Sequence, residues 1–404
     1  MIDFDFDKKC YGCTACVSVC PTKAISMREN EEGFQMPVID HAQCSNCHLC
    51  ENVCPHLLAL KEPKTIDKKN TYSFFLKDEE KLLKSSSGGA AYALARVILD
   101  DGGWVCGCVW NEKMEAEHIV SDRLDDVERM CGSKYVQSNL KDCFPRIKTL
   151  LRDGKKVLFI GSDCQVAGLK NYLRHDDDNL ITCSFICHGV PSPLVWRQYK
   201  NDLEKKVKAS LTSVNFKSAE EIGWNSPYCV YTFLNCKSLR EPSSLDSYVL
   251  GFVSQNLYLR NACSVCQYKG TRSISDIIIG DFWGCGKILM QQSHNKGVSC
   301  ILCSDKSNWL VDKIKVLGNL NVTTRSTIAQ ANKLMDSSTH VNEQNRVKFY
   351  SAFKKRKCFY EAYHFFRESY STKFKKMLVK LHLFALIKRV INRCRSMLAF
   401  VVIN

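Results

Sequence analysis

The sequence predicts a mixed α+β and α/β protein in three parts: a small cysteine-rich module, a larger domain of alternating strands and helices, and a basic helical tail. Three observations predict it. Two similar cysteine segments lie 34 residues apart near the N-terminus. Beyond a polar stretch at 61–71, KEPKTIDKKNT, strand-like apolar runs alternate with helical periodicity as far as about residue 335. Residues 348–404 then hold 14 Lys or Arg against 2 Glu, which accounts for +12 of the net charge of +15. The expected boundaries are 1–60, 61–71 as linker, 72–335 and 336–404. A chain of 404 residues has length for two or three domains, and 45% hydrophobic with 25% charged residues is an ordinary globular composition. No run approaches the roughly 20 apolar residues of a membrane-spanning helix. The opening MIDFDFDKKC carries acids where a signal peptide carries positive charge. A cytoplasmic location is expected.

The first part is defined by its cysteines, which are 24 in the whole chain. In a reducing compartment such a density points to metal or redox chemistry rather than disulfides. Cys10-Tyr-Gly-Cys13-Thr-Ala-Cys16-Val-Ser-Val-Cys20-Pro21 and Cys44-Ser-Asn-Cys47-His-Leu-Cys50-Glu-Asn-Val-Cys54-Pro55 are both C-x2-C-x2-C-x3-C-P. Three thiolates at intervals of three on a tight loop hold three corners of a cubane, and the fourth Cys, before Pro, ligates the other cluster. Cys10, Cys13, Cys16 and Cys54 are thus expected on one [4Fe-4S] cluster, and Cys44, Cys47, Cys50 and Cys20 on the second. A zinc site would need two C-x2-C pairs and would leave the trailing C-P unexplained. The pattern resembles the bacterial two-cluster ferredoxins, and the resemblance implies a dicluster ferredoxin fold that moves single electrons.

In the second part, Ser87-Gly88-Gly89 precedes a helical pattern at 90–99, and a strand-like run follows at 104–110. Small residues at a helix start expose amides to an anion, although Ser and Gly there are more often only a cap. No G-x-G-x-x-G follows a strand, so a Rossmann nicotinamide site is not supported. Apolar strands at 156–161 and 180–186 run out into Ser162-Asp-Cys164 and Cys187-His188-Gly189, and Cys263 and Cys266 form a C-x2-C ahead of Ser275-Asp276-Ile-Ile-Ile-Gly280-Asp281-Phe282-Trp283-Gly284. Polar and small residues at strand ends are where open α/β sheets place their sites. Spacing alone leaves two readings open for these four thiols: a third [4Fe-4S] cluster, or small buried hydrophobes.

The ordered set GSDCQVAGLKNYL, CHGVPSPLVWRQY, the C-x2-C before DIIIGDFWG, and NKGVS resembles the family of coenzyme F420 hydrogenase/dehydrogenase β-subunits, ferredoxin module included, over residues 1 to about 335. The resemblance implies a flavin, usually FAD, in the mixed α/β domain, with an iron–sulfur cluster beside it. It implies that Ser87, Gly88 and Gly89 form a cofactor loop and that Lys134 and Tyr135 form a KY segment near it, Lys134 stabilising negative charge on the reduced ring. It also places Gly161 and Asp281 in motifs near the cofactor and makes Cys164, Cys187, Cys263 and Cys266 the ligands of the flavin-proximal cluster. Where many members carry Gly-x-Pro-Cys, this chain has Gly161-Ser-Asp163-Cys164. His188, beside one expected ligand, reads either as a proton donor or as a structural histidine.

The expected function is an iron–sulfur flavoprotein oxidoreductase. Electrons would pass between a ferredoxin or another redox protein, the clusters and a flavin that exchanges hydride or electrons with a small molecule, F420-type or other. The rival readings are a non-catalytic electron-relay subunit docked to a larger redox complex, and a membrane-surface accessory protein with structural clusters. The basic, aromatic-rich tail reads either as a peripheral contact with the inner membrane face or an anionic partner, or as an appendage packed on the body. Nucleic-acid binding is not expected, since no motif accompanies the charge.

Overall fold

The computed structural model of the chain describes residues 2–61, 67, 68, 70–364, 366, 374, 375, 377–379, 383, 384 and 386–388. The N-terminal module is a hairpin, β1 (Ile25–Glu29) and β2 (Gln35–Ile39), with Ile25 opposite Ile39 and Glu29 opposite Gln35. Each cysteine segment carries a short helix, Ala15–Val19 within the first and Pro55–Lys61 at the end of the second. A proline at a helix start has no amide to waste and has φ already set, which is why the C-P pair can end the second loop.

The central domain is an eight-stranded sheet. Its strands in chain order are β3 (Asn70–Leu76), β4 (Trp104–Trp110), β5 (Ala116–Ser121), β6 (Val157–Ile160), β7 (Leu180–Phe185), and, after a second sheet, β11 (Ile277–Asp281), β12 (Ser299–Cys303) and β13 (Gly318–Val322). They are ordered β13-β3-β12-β11-β7-β6-β4-β5. The neighbours β4, β6, β7 and β11 pair in parallel, and the remaining pairings are antiparallel. The run Val157-Leu-Phe-Ile160 is apolar at every position because both of its faces are covered. Helices Ala90–Asp100 and Asp305–Lys313 cover one face. Helices Cys143–Arg152 and Asp163–Leu173 cover the other, and there Tyr11, Cys13, Ala15 and Val53 of the N-terminal module join the same apolar cluster. The module is therefore part of the core. Of the stretch expected as a linker, Asn70 and Thr71 instead begin β3.

A second, three-stranded antiparallel sheet, β8 (Leu211–Ser218), β9 (Tyr228–Phe233) and β10 (Ser238–Pro242), packs with helix Pro193–Val207 around Trp196, Tyr199 and Tyr248. The described part of the basic tail completes this core. Helices Glu343–Arg356 and Phe359–Tyr363 bury Phe349, Phe353, Phe359 and Tyr363, so this stretch is packed on the body. Most of the tail beyond His364, on which the membrane-contact expectation rests, lies outside the described residues. Among the described residues no helix is long and apolar enough to cross a membrane.

Candidate cluster and cofactor sites

The N-terminal loops turn tightly enough to bring thiols together because Gly12 takes φ +69° and its amide donates to Cys10 Sγ at 3.3 Å. Cys13 is raised well above the ordinary thiol range by burial and then by the adjacent thiols of Cys16, Cys54 and Cys10. Cys16 is raised by burial and by its neighbours Cys10, Cys54 and Cys50. Cys54 is pushed up to about 11, by burial first, with Cys10 and Cys50 beside it. Cys10, Cys13, Cys16 and Cys54 thus lie near one another, with Cys50 also beside Cys16 and Cys54. Cys20 and Cys50 share a small apolar cluster with Cys16 and Cys54. Cys44 is half-buried and Cys47 exposed on the loop ahead of Cys50. The Leu49 amide and the Ser45 side chain hold the Cys47 thiol below its usual value, as an amide cradle for a thiolate does.

The other four cysteines come from three distant places. Cys164 sits in the first turn of helix Asp163–Leu173, whose start is set by a capping box in which Ser162 N–H donates to Gln165 Oε1 at 2.9 Å. Cys187 follows β7, and Cys263 and Cys266 lie in and just after a 3-10 turn, Asn261–Val265. Burial, followed by neighbours Cys266, Cys187 and Cys263, raises Cys164 well above the thiol range. Burial takes Cys263 to about 12, with Cys187 and Cys266 adding to it, and Cys266 to about 11, with Cys187 adding to it. The four thiols are one neighbourhood. Asp163 opens the helix and accepts a hydrogen bond from Ser273 Oγ at 2.6 Å. Burial raises the Asp163 carboxyl above its usual range, against the hydrogen bond from Ser273.

Among the described residues no three His, Cys, Asp or Glu side chains close on a single ion. Both groups consist of four soft sulfur donors, buried or half-buried. Four thiolates suit zinc as well as iron, but ligands that do not close on one ion match the wider spread that a multi-iron cluster needs.

The two groups share a wall. Gly168 lies one turn beyond Cys164 on the same helix, and a Cβ there would stand 2.9 Å from both Cβ and Sγ of Cys13. Tyr11 and Tyr268 cross edge to face between the groups, ring centroids 5.8 Å apart. The Tyr11 phenol is pushed up by burial and by Cys266, Cys164 and Cys263. The Tyr268 phenol is pushed up by burial and then by Tyr11, Cys13, Cys164 and Cys54, so it faces both groups. Neither tyrosine nor Gly168 is marked by spacing, although Tyr11 sits inside the first repeat and Gly168 inside the run GSDCQVAGLKNYL.

Of the residues expected near a cofactor, the Ser87-Gly88-Gly89 loop is linked to Asp281 through Ser86, Trp224 and Trp283. Gly88 packs where a side chain would strike the Phe74 carbonyl and the Ser299 amide, and Ser87 Oγ donates to Val298 O at 2.8 Å. Gly89 is left-handed (φ +81°) at the start of helix Ala90–Asp100, which has no side-chain cap. Ser133 Oγ donates to Ser86 Oγ at 2.8 Å, and Trp224 Nε1 donates to Ser86 O at 3.3 Å. Trp224 stacks on Trp283 at 4.4 Å, and Lys217 lies over Trp283 while donating to both oxygens of Asp281 at 2.6 Å. Tyr135 stacks on Phe216 at 5.0 Å with Asp281 among its charged neighbours. Gly161 ends β6 with its amide donating to Cys183 O at 3.0 Å. Lys134 is engaged otherwise than expected: its ammonium donates to the carbonyls of Arg129, Met130, Cys131 and Gly132 at 2.6–3.2 Å, closing the C-terminus of helix Leu124–Met130. His188 is fixed by Asn256 Oδ1 at 2.7 Å. Lys217 and Trp224 belong to the second sheet region, which sequence reasoning did not single out, although Trp283 stands inside DIIIGDFWG.

Comparison with known proteins adds to this geometry. Residues 154–327 match the model for the C terminus of "Coenzyme F420 hydrogenase/dehydrogenase, beta subunit", and residues 9–57 match "4Fe-4S dicluster domain". The chain is 24% identical to an F(420)H(2) dehydrogenase subunit of Methanosarcina mazei over 169 residues, 39% of this chain and 46% of that one. It is 23% identical to an uncharacterised protein of Methanocaldococcus jannaschii over 202 residues, 43% of this chain and 55% of that one. The chain thus spans about half the length of these curated relatives. A chain of the F420-reducing [NiFe] hydrogenase complex from Methanosarcina barkeri aligns with a TM-score of 0.47 and 16% identity, over 72% of this chain and 94% of that one.

Proposed function

Because the chain belongs to the family of coenzyme F420 hydrogenase/dehydrogenase β-subunits and carries a 4Fe-4S dicluster domain at its N-terminus, we propose that it is an iron–sulfur flavoprotein oxidoreductase with three clusters in series. Cys44, Cys47, Cys50 and Cys20 would hold the outer cluster, whose exposed loop is the natural face for a ferredoxin or another redox protein. Cys10, Cys13, Cys16 and Cys54 would hold the inner one, and Cys164, Cys187, Cys263 and Cys266 the third. The observation that supports the reading is that these last four thiols, from three elements, lie near one another, with Gly168 and Tyr268 between them and the inner group. Tyr11, Tyr268 and the Gly168 contact fill the space between the groups with packed side chains.

The uncapped start of helix Ala90–Asp100, with Ser87, Gly88 and Gly89 ahead of it, supports a phosphate of FAD. The Trp224–Trp283 stack and the Lys217–Asp281 pair stand beside that loop as a rigid wall. A bound flavin would exchange hydride or two electrons with a substrate and single electrons with the clusters. The substrate is an F420-type deazaflavin or another small molecule that meets the flavin face.

The test is anaerobic purification with flavin, iron and sulfide quantified per chain. The proposal expects about one flavin and about 12 irons, four for each cubane. Iron without flavin would overturn the catalytic half and leave an electron relay.

A further inference from the structure

Four cations of the described residues are buried: Lys217, Arg260, Lys269 and Arg346. A buried charge needs a compensating charge, since desolvation otherwise outweighs what neutral acceptors return. Two of the four have an acid, Lys217 with Asp281 and Arg346 with Glu32. The other two pair with no carboxylate among the described residues, and both stand beside the cysteine groups. Lys269, three residues after Cys266, donates to the carbonyls of Cys187 and Leu334.

Arg260 is the more telling. It is 1% exposed. Nε donates to Cys10 O at 2.7 Å, Nη1 to Gln137 Oε1 at 2.7 Å, and Nη2 to Gln35 O at 2.6 Å, with Met36 Sδ at 3.1 Å. Every one of these acceptors is neutral. Nη2 also stands 4.0 Å from Cys10 Sγ, while the Arg260 carbonyl accepts from the Cys263 amide at 2.9 Å. The residue therefore touches a cysteine of the inner group with its guanidinium and a cysteine of the third group with its backbone. The first repeat makes room for it: a Cβ on Gly12 would stand 2.8 and 2.9 Å from Nη1 and Nη2.

We propose that Arg260 is the buried counter-charge of the iron–sulfur cluster at Cys10, Cys13, Cys16 and Cys54, and that it sets that cluster's reduction potential. The inference rests on the cluster reading above. A cluster bound through four thiolates carries net negative charge that grows by one on reduction, and net charge with hydrogen bonding to sulfur is among the terms that fix its potential. A fixed cation at hydrogen-bonding range favours the reduced form. One electron enters and no proton is needed, because the guanidinium already supplies the opposing charge.

The experiment compares the wild-type chain, Arg260→Lys and Arg260→Met, all purified anaerobically, by iron and sulfide content and by reductive titration with dithionite followed by electron paramagnetic resonance. In Arg260→Met with full iron, one cluster's reduction equilibrium should move at least tenfold toward the oxidised form, 59 mV or more negative for a one-electron couple. Arg260→Lys, which keeps the charge, should stay within that tenfold. Unchanged midpoints in an iron-replete Arg260→Met protein overturn the role of Arg260 and leave the cluster reading standing. A wild-type chain without a reducible iron–sulfur signal overturns the cluster reading itself. Should Arg260→Met lose its iron, Arg260→Lys and Arg260→Gln decide: the proposal expects Lys to retain iron and Gln to lose it, and equal loss in both overturns it.

Discussion

Replacing Gly168 by alanine sets two opposed effects against each other. The residue lies within helix Asp163–Leu173, where Gly→Ala ordinarily stabilises by about 1 kcal/mol. Here the added methyl would stand 2.9 Å from both Cβ and Sγ of Cys13 and 3.4 Å from the Phe144 ring. Neither neighbour can retreat easily: Phe144 is buried under the sheet, and Cys13 is fixed in a loop whose neighbouring thiols surround it. Overpacking of this kind costs about 1–3 kcal/mol, so the net effect is a loss of about 1 kcal/mol, larger for Gly168→Val. Thermal unfolding of anaerobic protein reads it as a fall of roughly 2–4 °C per kcal/mol. A midpoint that rises in Gly168→Ala would refute the reasoning, since helix propensity would then outweigh the contact on which the shared wall depends.

Three further outcomes follow from other contacts. Lys134→Met removes an ammonium from four helix-end carbonyls and should cost about 2 kcal/mol in denaturant unfolding, while Lys134→Arg should cost less; equal losses would contradict a capping role. Lys217→Met leaves Asp281 without its cation and should cost about 3 kcal/mol, with Lys217→Met/Asp281→Leu recovering part of it; no recovery would contradict the pairing. Burial holds His118 near a pKa of about 4, against an ordinary 6.5, and its Nδ1 has no partner. The unfolded chain therefore binds this proton first as pH falls. The stabilisation is complete above pH 6.5 and is lost on the way down to about 4, amounting to about 3 kcal/mol for the whole shift. Wild type should lose stability faster than His118→Gln between pH 7 and 5.5, and parallel curves would contradict the assignment.

The N-terminal repeat was the most legible part of the chain, because cluster ligation imposes a spacing that nothing else in the sequence imitates. The alternation of apolar strands and helices was also legible, and the runs at 104–110, 157–160 and 180–185 are strands of the central sheet. The second sheet was not. β8 breaks its alternation at two register shifts, and its stability comes from Trp196, Tyr199 and Tyr248 rather than from a pattern of its own. The edge strand β13 is half exposed and was not singled out in the sequence. For Cys164, Cys187, Cys263 and Cys266, spacing left the choice between ligand and core thiol open, since convergence across three elements is a tertiary fact. The same holds for Arg260, whose burial and neutral partners have no signature in a string of residues. Lys134 shows the reverse: its motif drew attention, while its ammonium is engaged at the end of its neighbouring helix.

The central claim is that four scattered cysteines hold a third cluster beside the inner ferredoxin-type one. The direct test is iron and sulfide per chain in anaerobic wild type and in Cys263→Ala/Cys266→Ala. The account predicts about 12 irons falling to about 8, with the two N-terminal clusters still reducible. The same iron content in both proteins would contradict it.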